Sequence, residues 1–116
     1  MVRFITNLAG GVDTTRNCLY ILTMQFEWDK TKAQANLDKH GLDFEDAKKV
    51  FSRPVVITPD ARRDYGELRY KALGELDGVI VYIAFTPRRD AVRIISMRPA
   101  NRKEREAYAK SHQKRP

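Results

Sequence analysis

Apolar residues recur along this chain with two different periods, helical in the first half and alternating in the second, so the elements are readable before any composition is considered. From Asp29, which can N-cap a helix, Ala33 and Leu37 lie at helical spacing with Asn36 and His40 beside them, and Gly41 supplies the stop. Residues 26–28 precede this helix as a short strand-like entry. Asp43, with Asp46 three residues on, opens a second helix whose stripe is Phe44, Ala47, Val50 and Phe51 and which ends at Ser52-Arg53-Pro54. The two helices are expected to form a hairpin.

The period then changes. Residues 55–58 are β-rich, and a polar loop over 59–66 carries Arg62, Arg63 and Asp64. Strands are predicted over 67–74, 79–86 and 91–98, with 75–78 and 87–90 short enough for hairpin turns, which makes this part of the sheet antiparallel. Arg98-Pro99 breaks the last strand, and Asn101 with Glu104 offers a capping box for a final helix through about Ser111. The expected fold is α+β: a curved antiparallel sheet with the helical hairpin and the C-terminal helix packed on one face.

Strand alternation sorts the side chains into two sets. Leu68, Tyr70, Ala72, Val81, Ile83, Phe85, Val92 and Ile94 form the core set. The other face collects Glu67, Arg69, Lys71, Tyr82, Ala84, Thr86, Arg93, Ile95 and Met97. With turns centred at 76/77 and 88/89, Ala84 falls opposite Arg69 on one side and Arg93 on the other, so two arginines flank one small residue. Strict alternation puts Arg98 on the opposite face from Arg93, and a bulge near Ser96 or the break at Pro99 is needed to re-aim it.

Composition narrows what that second face is for. The 116 residues carry a net charge of +7 and are 42% hydrophobic, the balance of a folded basic domain with a polyanionic partner rather than of a disordered tail. No run approaches the roughly 20 apolar residues of a membrane span or the apolar core of a signal peptide. Cys18 has no partner for a disulfide, and with only His40 and His112 besides there is no zinc-ligand spacing. These features read as a cytoplasmic chain without a cofactor or structural metal. Residues 1–23 hold Gly10-Gly11 and little periodicity, and read as an appendage to a domain over 24–116.

A face of Glu, Arg and Lys suits RNA cleavage through the 2′-hydroxyl, which needs a base at the hydroxyl, cations on the phosphorane and a donor for the leaving oxygen. Glu67 leads as the base, and proton transfer of this kind contributes about 10²- to 10⁴-fold. Arg69 and Arg93 present forked donors to phosphate oxygens, with Arg98 as a further ligand. The donor stays open among Tyr82, Lys71, Tyr108 and His40. Arg102 belongs to a basic C-terminal run suited to clamping RNA backbone. The plain structural readings are a solvated charge ladder for the sheet face, packing for Trp28, a satisfied polar group for Asn36 and a cap for His40.

The stretch Met-Gln-Phe-Glu-Trp-Asp-Lys from Met24, Asn-Leu-Asp-Lys-His-Gly ending at Gly41, Gly66-Glu67-Leu68-Arg69, and Arg93-Ile-Ile-Ser-Met-Arg-Pro-Ala100 with Glu104-Arg105 and Tyr108 resembles the BrnT toxin family. The resemblance spans nearly all of residues 24–110 and implies a RelE-like fold and a ribonuclease toxin of a type II toxin–antitoxin system. It also implies a BrnA-like ribbon-helix-helix antitoxin as partner, with operator DNA contacted only through that complex. Glu67, Arg69, Arg93, Ser96 and Arg98 coincide with the shared motifs and form the implied catalytic set, with Lys71, Tyr82, Arg102 and Tyr108 around the substrate. Met24 stands where family members usually begin, so residues 1–23 read as a start-site artefact or a disordered extension. Met97 and Pro99 depart from a segment that more often reads Ile-Ile-Ser-Ala-Arg-Arg-Ala. The rival from another class is a non-enzymatic basic module, or degenerate toxin, that binds nucleic acid or antitoxin.

Overall fold

The structure, a computed structural model, describes residues 4–6, 25–62 and 64–113. Most of the expected appendage, Met24 and Arg63 lie outside the described residues. The elements run β1 (Phe4–Thr6), β2 (Gln25–Glu27), α1 (Lys30–His40), a 3-10 turn (Phe44–Asp46) leading into α2 (Ala47–Phe51), β3 (Val55–Pro59), β4 (Tyr70–Leu76), β5 (Val79–Arg88), β6 (Ala91–Pro99) and α3 (Arg102–Gln113). The strand order is β1-β3-β4-β5-β6-β2.

The local signals that set the helix ends act as their chemistry dictates. The Asp29 carboxylate accepts from the backbone N–H groups of Thr31 and Lys32, which holds its carboxyl below the usual range, and Gly41 ends α1 in the left-handed region at φ 71°. Asp43 caps the 3-10 turn through the Glu45 N–H, and Phe44, Ala47, Val50 and Phe51 are all fully buried. The expected hairpin of helices is not what forms: α1 packs chiefly on β6 and α2 on β4, so the sheet, with far more apolar surface to cover, is the partner of each.

The four central strands are antiparallel as expected, but β1 joins β3 and β2 joins β6 in parallel, so the sheet is mixed. Its two faces are both covered. Ala72, Leu76, Val81, Ile83, Phe85, Val92, Ile94 and Met97 pack with Phe44, Val50 and Phe51 from the helical side. On the other side Leu73, Tyr82, Ala84 and Ala100 form a second cluster with Tyr108 of α3. The expectation of all helices on one face is therefore corrected. Leu73, Ile80 and Ile95 make the lower part of the second face too apolar to leave to water, and α3 covers it.

The expected register is also corrected, at both hairpins. The β4–β5 turn is the two-residue Asp77-Gly78 pair, with φ of 49° and 85°, both positive as a type I′ turn requires. The next turn is Arg89-Asp90, with Arg89 at φ 30°. Each turn thus sits one residue later than expected, and Ala84 pairs with Lys71 and Ser96 rather than with Arg69 and Arg93. β6 carries a bulge: Ser96 pairs with Ala84 while Ile94 pairs with the next residue, Phe85, leaving Ile95 extra. The extra residue reverses the alternation beyond it. Met97, expected on the second face, is fully buried in the core, and Arg98 turns onto the same face as Arg93.

Candidate active site

Glu67 and Arg69 lie before β4 rather than in it, because that strand begins only at Tyr70. Two hydrogen bonds hold this segment across the sheet: the Asp60 N–H donates to the Arg69 carbonyl at 2.8 Å, and the Thr86 hydroxyl donates to the Leu68 carbonyl at 2.5 Å. Leu68, expected in the core, is 68% exposed as a result. Arg93 pairs with Thr86 from the other side, and the contact with Arg88 puts Glu67 two residues further along β5, so these groups lie away from the expected centre at Ala84.

The Glu67 carboxylate sits between two guanidinium groups, 3.5 Å from Arg69 Nε and 3.3 Å from Arg88 Nη2. The Arg69 contact is an ion pair without hydrogen-bond alignment: its Nε is buried and makes no hydrogen bond, while its guanidinium carbon lies 4.1 Å over the Tyr65 ring. Arg93 is paired with Glu27 of β2 at 3.0 Å. Arg88 and Glu27 had no role in the sequence reading. The sequence places Arg88 in a turn and Glu27 in an entry strand, and only the pairing of β2 with β6 brings Glu27 alongside Arg93.

Further down the same face lies a second constellation. Arg98 lies 4.0 Å over the Tyr82 ring and forks onto Glu104, with both bonds at 2.8 Å. The fork keeps the Glu104 carboxyl below its usual range and raises Arg98. Glu104 also accepts the Asn101 N–H, and its own N–H donates to the Asn101 side chain, completing the expected capping box and tying α3 to the sheet. Arg98 is thus committed to a carboxylate, where a free phosphate ligand was expected. Burial pushes the Tyr82 hydroxyl up, and Arg62 Nη2 donates to its oxygen at 3.4 Å. Arg62 is in turn held by Asp60, Nε to Oδ1 at 2.9 Å and Nη2 to Oδ2 at 3.0 Å; this fork lowers the Asp60 carboxyl, whose side chain is only 2% exposed.

The remaining candidates separate. Lys71 and Ser96 share the level of Ala84, between the two constellations. Arg102 points along the exposed surface of α3 to Glu106, and Tyr108 packs into the second apolar cluster, where burial raises its hydroxyl pKa. Trp28 packs edge-on against Phe44 with centroids 6.2 Å apart, a core role. Among the described residues, no group of three or more His, Cys, Asp or Glu converges as a metal site. The Asp60–Arg62 fork went unread in the sequence. An acidic residue closing a β-run before two arginines was visible, but its burial was not.

An α+β domain whose sheet face surrounds carboxylates with guanidinium groups has the build of a protein that handles a polyanion. A family model for the ribonuclease toxin BrnT of type II toxin–antitoxin systems matches residues 28–104, and the chain belongs to that family. Membership implies a ribonuclease toxin with an RNA target and an antitoxin partner. No curated protein sequence matches the chain. No described helix is long and apolar enough to cross a membrane.

Proposed function

We propose that this toxin cleaves RNA without a metal ion, by attack of a 2′-hydroxyl on the adjacent phosphate at the Thr86 level of the sheet. The observation that carries the reading is the gathering of cations at this end of the face: the Glu67 carboxylate lies between Arg69 and Arg88, and Arg93 pairs with Thr86 on the neighbouring strand. Glu67 takes the 2′-hydroxyl proton as the O2′–P bond forms, the P–O5′ bond breaks to leave a 2′,3′-cyclic phosphate, and water protonates the departing 5′-oxygen. Arg69 and Arg93 meet the phosphorane oxygens, where fixed charge supplies the largest share of such catalysis. Ser96 borders the strip, and Arg98 acts through its grip on α3 and Tyr82.

The same reading takes the fold as RelE-like and the working compartment as the cytoplasm. Its antitoxin is a BrnA-like ribbon-helix-helix protein that masks the cationic face by charge complementarity and brings the complex to operator DNA. The test is cleavage of a labelled RNA by the purified chain in excess EDTA. Glu67→Gln is expected to slow cutting by about 10²- to 10⁴-fold while RNA binding is kept. Wild-type cutting that stops in EDTA, or a Glu67→Gln protein that cuts normally, refutes the mechanism; binding without any cutting favours the non-enzymatic module.

A further inference from the structure

Beside the Thr86 constellation is a cleft of about 280 Å³ between α3 and strands β3 to β5, lined by Val56, Thr58, Lys71, Leu73, Tyr82, Lys103, Glu104 and Ala107. We infer that this cleft is a second nucleotide subsite, holding one splayed base of single-stranded RNA and gripping its backbone through Lys71, Lys103 and Arg62. The inference rests on the proposed reading of the neighbouring site and names the form of RNA it takes.

Position comes first. Tyr82 and Thr86 lie on one face of β5, four residues apart, which is roughly 13 Å at strand rise. Lys71, opposite Ala84, stands between the two levels. A strand of RNA running along the face passes from one site to the other without leaving the sheet.

Charge comes second. Lys71 and Lys103 make no ion pair among the described residues, although both line the cleft. The carboxylate in the wall, Glu104, is forked by Arg98 and also feels the Lys71 charge, which helps to hold its carboxyl low, but it forms no ion pair with either lysine. Arg62 spends Nε and Nη2 on Asp60 and Tyr82, and its Nη1 makes no hydrogen bond among the described residues. The buried Asp60 aims the guanidinium and leaves one edge of it for an anion.

Shape comes third. The volume lies just below the range of about 300–1,000 Å³ common for small-ligand sites, enough for one base and too narrow for a duplex. Val56, Leu73 and Ala107 give the base an apolar floor. A base enters such a cleft only when unstacked, which selects single strands over A-form helix.

The test uses non-cleavable 2′-O-methyl RNA as probe: a dinucleotide, a single-stranded octamer, and that octamer annealed to its complement. The full chain is expected to bind the single-stranded octamer at least about tenfold more tightly than either other form, with a salt slope steeper by about 0.7 for each further phosphate engaged. Lys71→Gln and Arg62→Ala should each remove about one such increment. Arg62→Ala strands the buried Asp60 carboxylate, so Lys71→Gln carries the test alone should that variant unfold. An unchanged slope in folded variants, or equal affinity for the duplex, overturns the subsite. So does protection of Lys71 and Lys103 from acetylation by the antitoxin but not by the octamer, which assigns the cleft to the protein partner. Cleavage of long RNA is scored separately, so the catalytic reading can fail while this binding result stands.

Discussion

Asn36 is a position where one small substitution should cost this domain heavily. Strand β2 covers only Ala91–Arg93 of β6, so the edge beyond is left to α1. There the Asn36 side chain accepts the Met97 N–H at 3.1 Å and donates from Nδ2 to the Leu42 carbonyl at 3.2 Å. Asn36 is itself buried, and Met97 completely so. Asn36→Ala strands both backbone groups, each worth about 1–3 kcal/mol when left unsatisfied. Alanine's better helix propensity returns about 0.5 kcal/mol. The net loss is about 1.5–5.5 kcal/mol, or about 6–22 °C in Tm for a domain of this size. Thermal melting measures it, with Gln34→Ala on the exposed side of the same helix as a control expected within about 0.5 kcal/mol. Amide exchange should accelerate at Met97 in particular. An Asn36→Ala protein within about 0.5 kcal/mol of wild type, or an unchanged Met97 exchange rate, would refute the edge-sealing role.

Gly74 lies where α2 crosses β4, and an added Cβ would meet Val50 Cγ1 at 2.6 Å and Val55 Cγ1 at 2.8 Å. Gly74→Ala should therefore cost about 1–3 kcal/mol in urea unfolding, whereas a neutral result would mean that α2 shifts freely. The Arg98 fork holds the Glu104 carboxyl below its ordinary value near 4.5, so this stabilisation is present above that pH and lost as pH falls through the lower folded value. The Tm gap between wild type and Glu104→Gln should be open at neutral pH and close in acid, once the pH falls below the lowered Glu104 value; a gap of constant size would contradict the assignment.

Much of the architecture was legible because its causes are local. Asp29, Gly41, Asp43 and the Asn101–Glu104 box act within one helical turn, and the stripe from Phe44 to Phe51 reports its own burial. The existence of four antiparallel strands followed from period-two alternation and turn residues. Even the hairpin turn was present as Asp77-Gly78, although the register read from the chain was centred one residue early.

The sequence by itself determined the helices and the central strands from about Tyr70 onward, and marked Glu67, Arg69 and Arg93 as a cationic set. Tertiary structure alone decided where that set gathers. A single extra residue at Ile95 moved Met97 into the core and Arg98 onto the second face, and turns displaced by one residue moved the set away from Ala84. The committed Arg98–Glu104 fork, the buried Asp60 that aims Arg62, and the packing of α3 on the far face likewise depend on contacts between residues remote in the chain. The physical reason is the two-residue period of a strand: local preference sets that alternation, but register sets its phase, and register is chosen by the packing of the whole sheet.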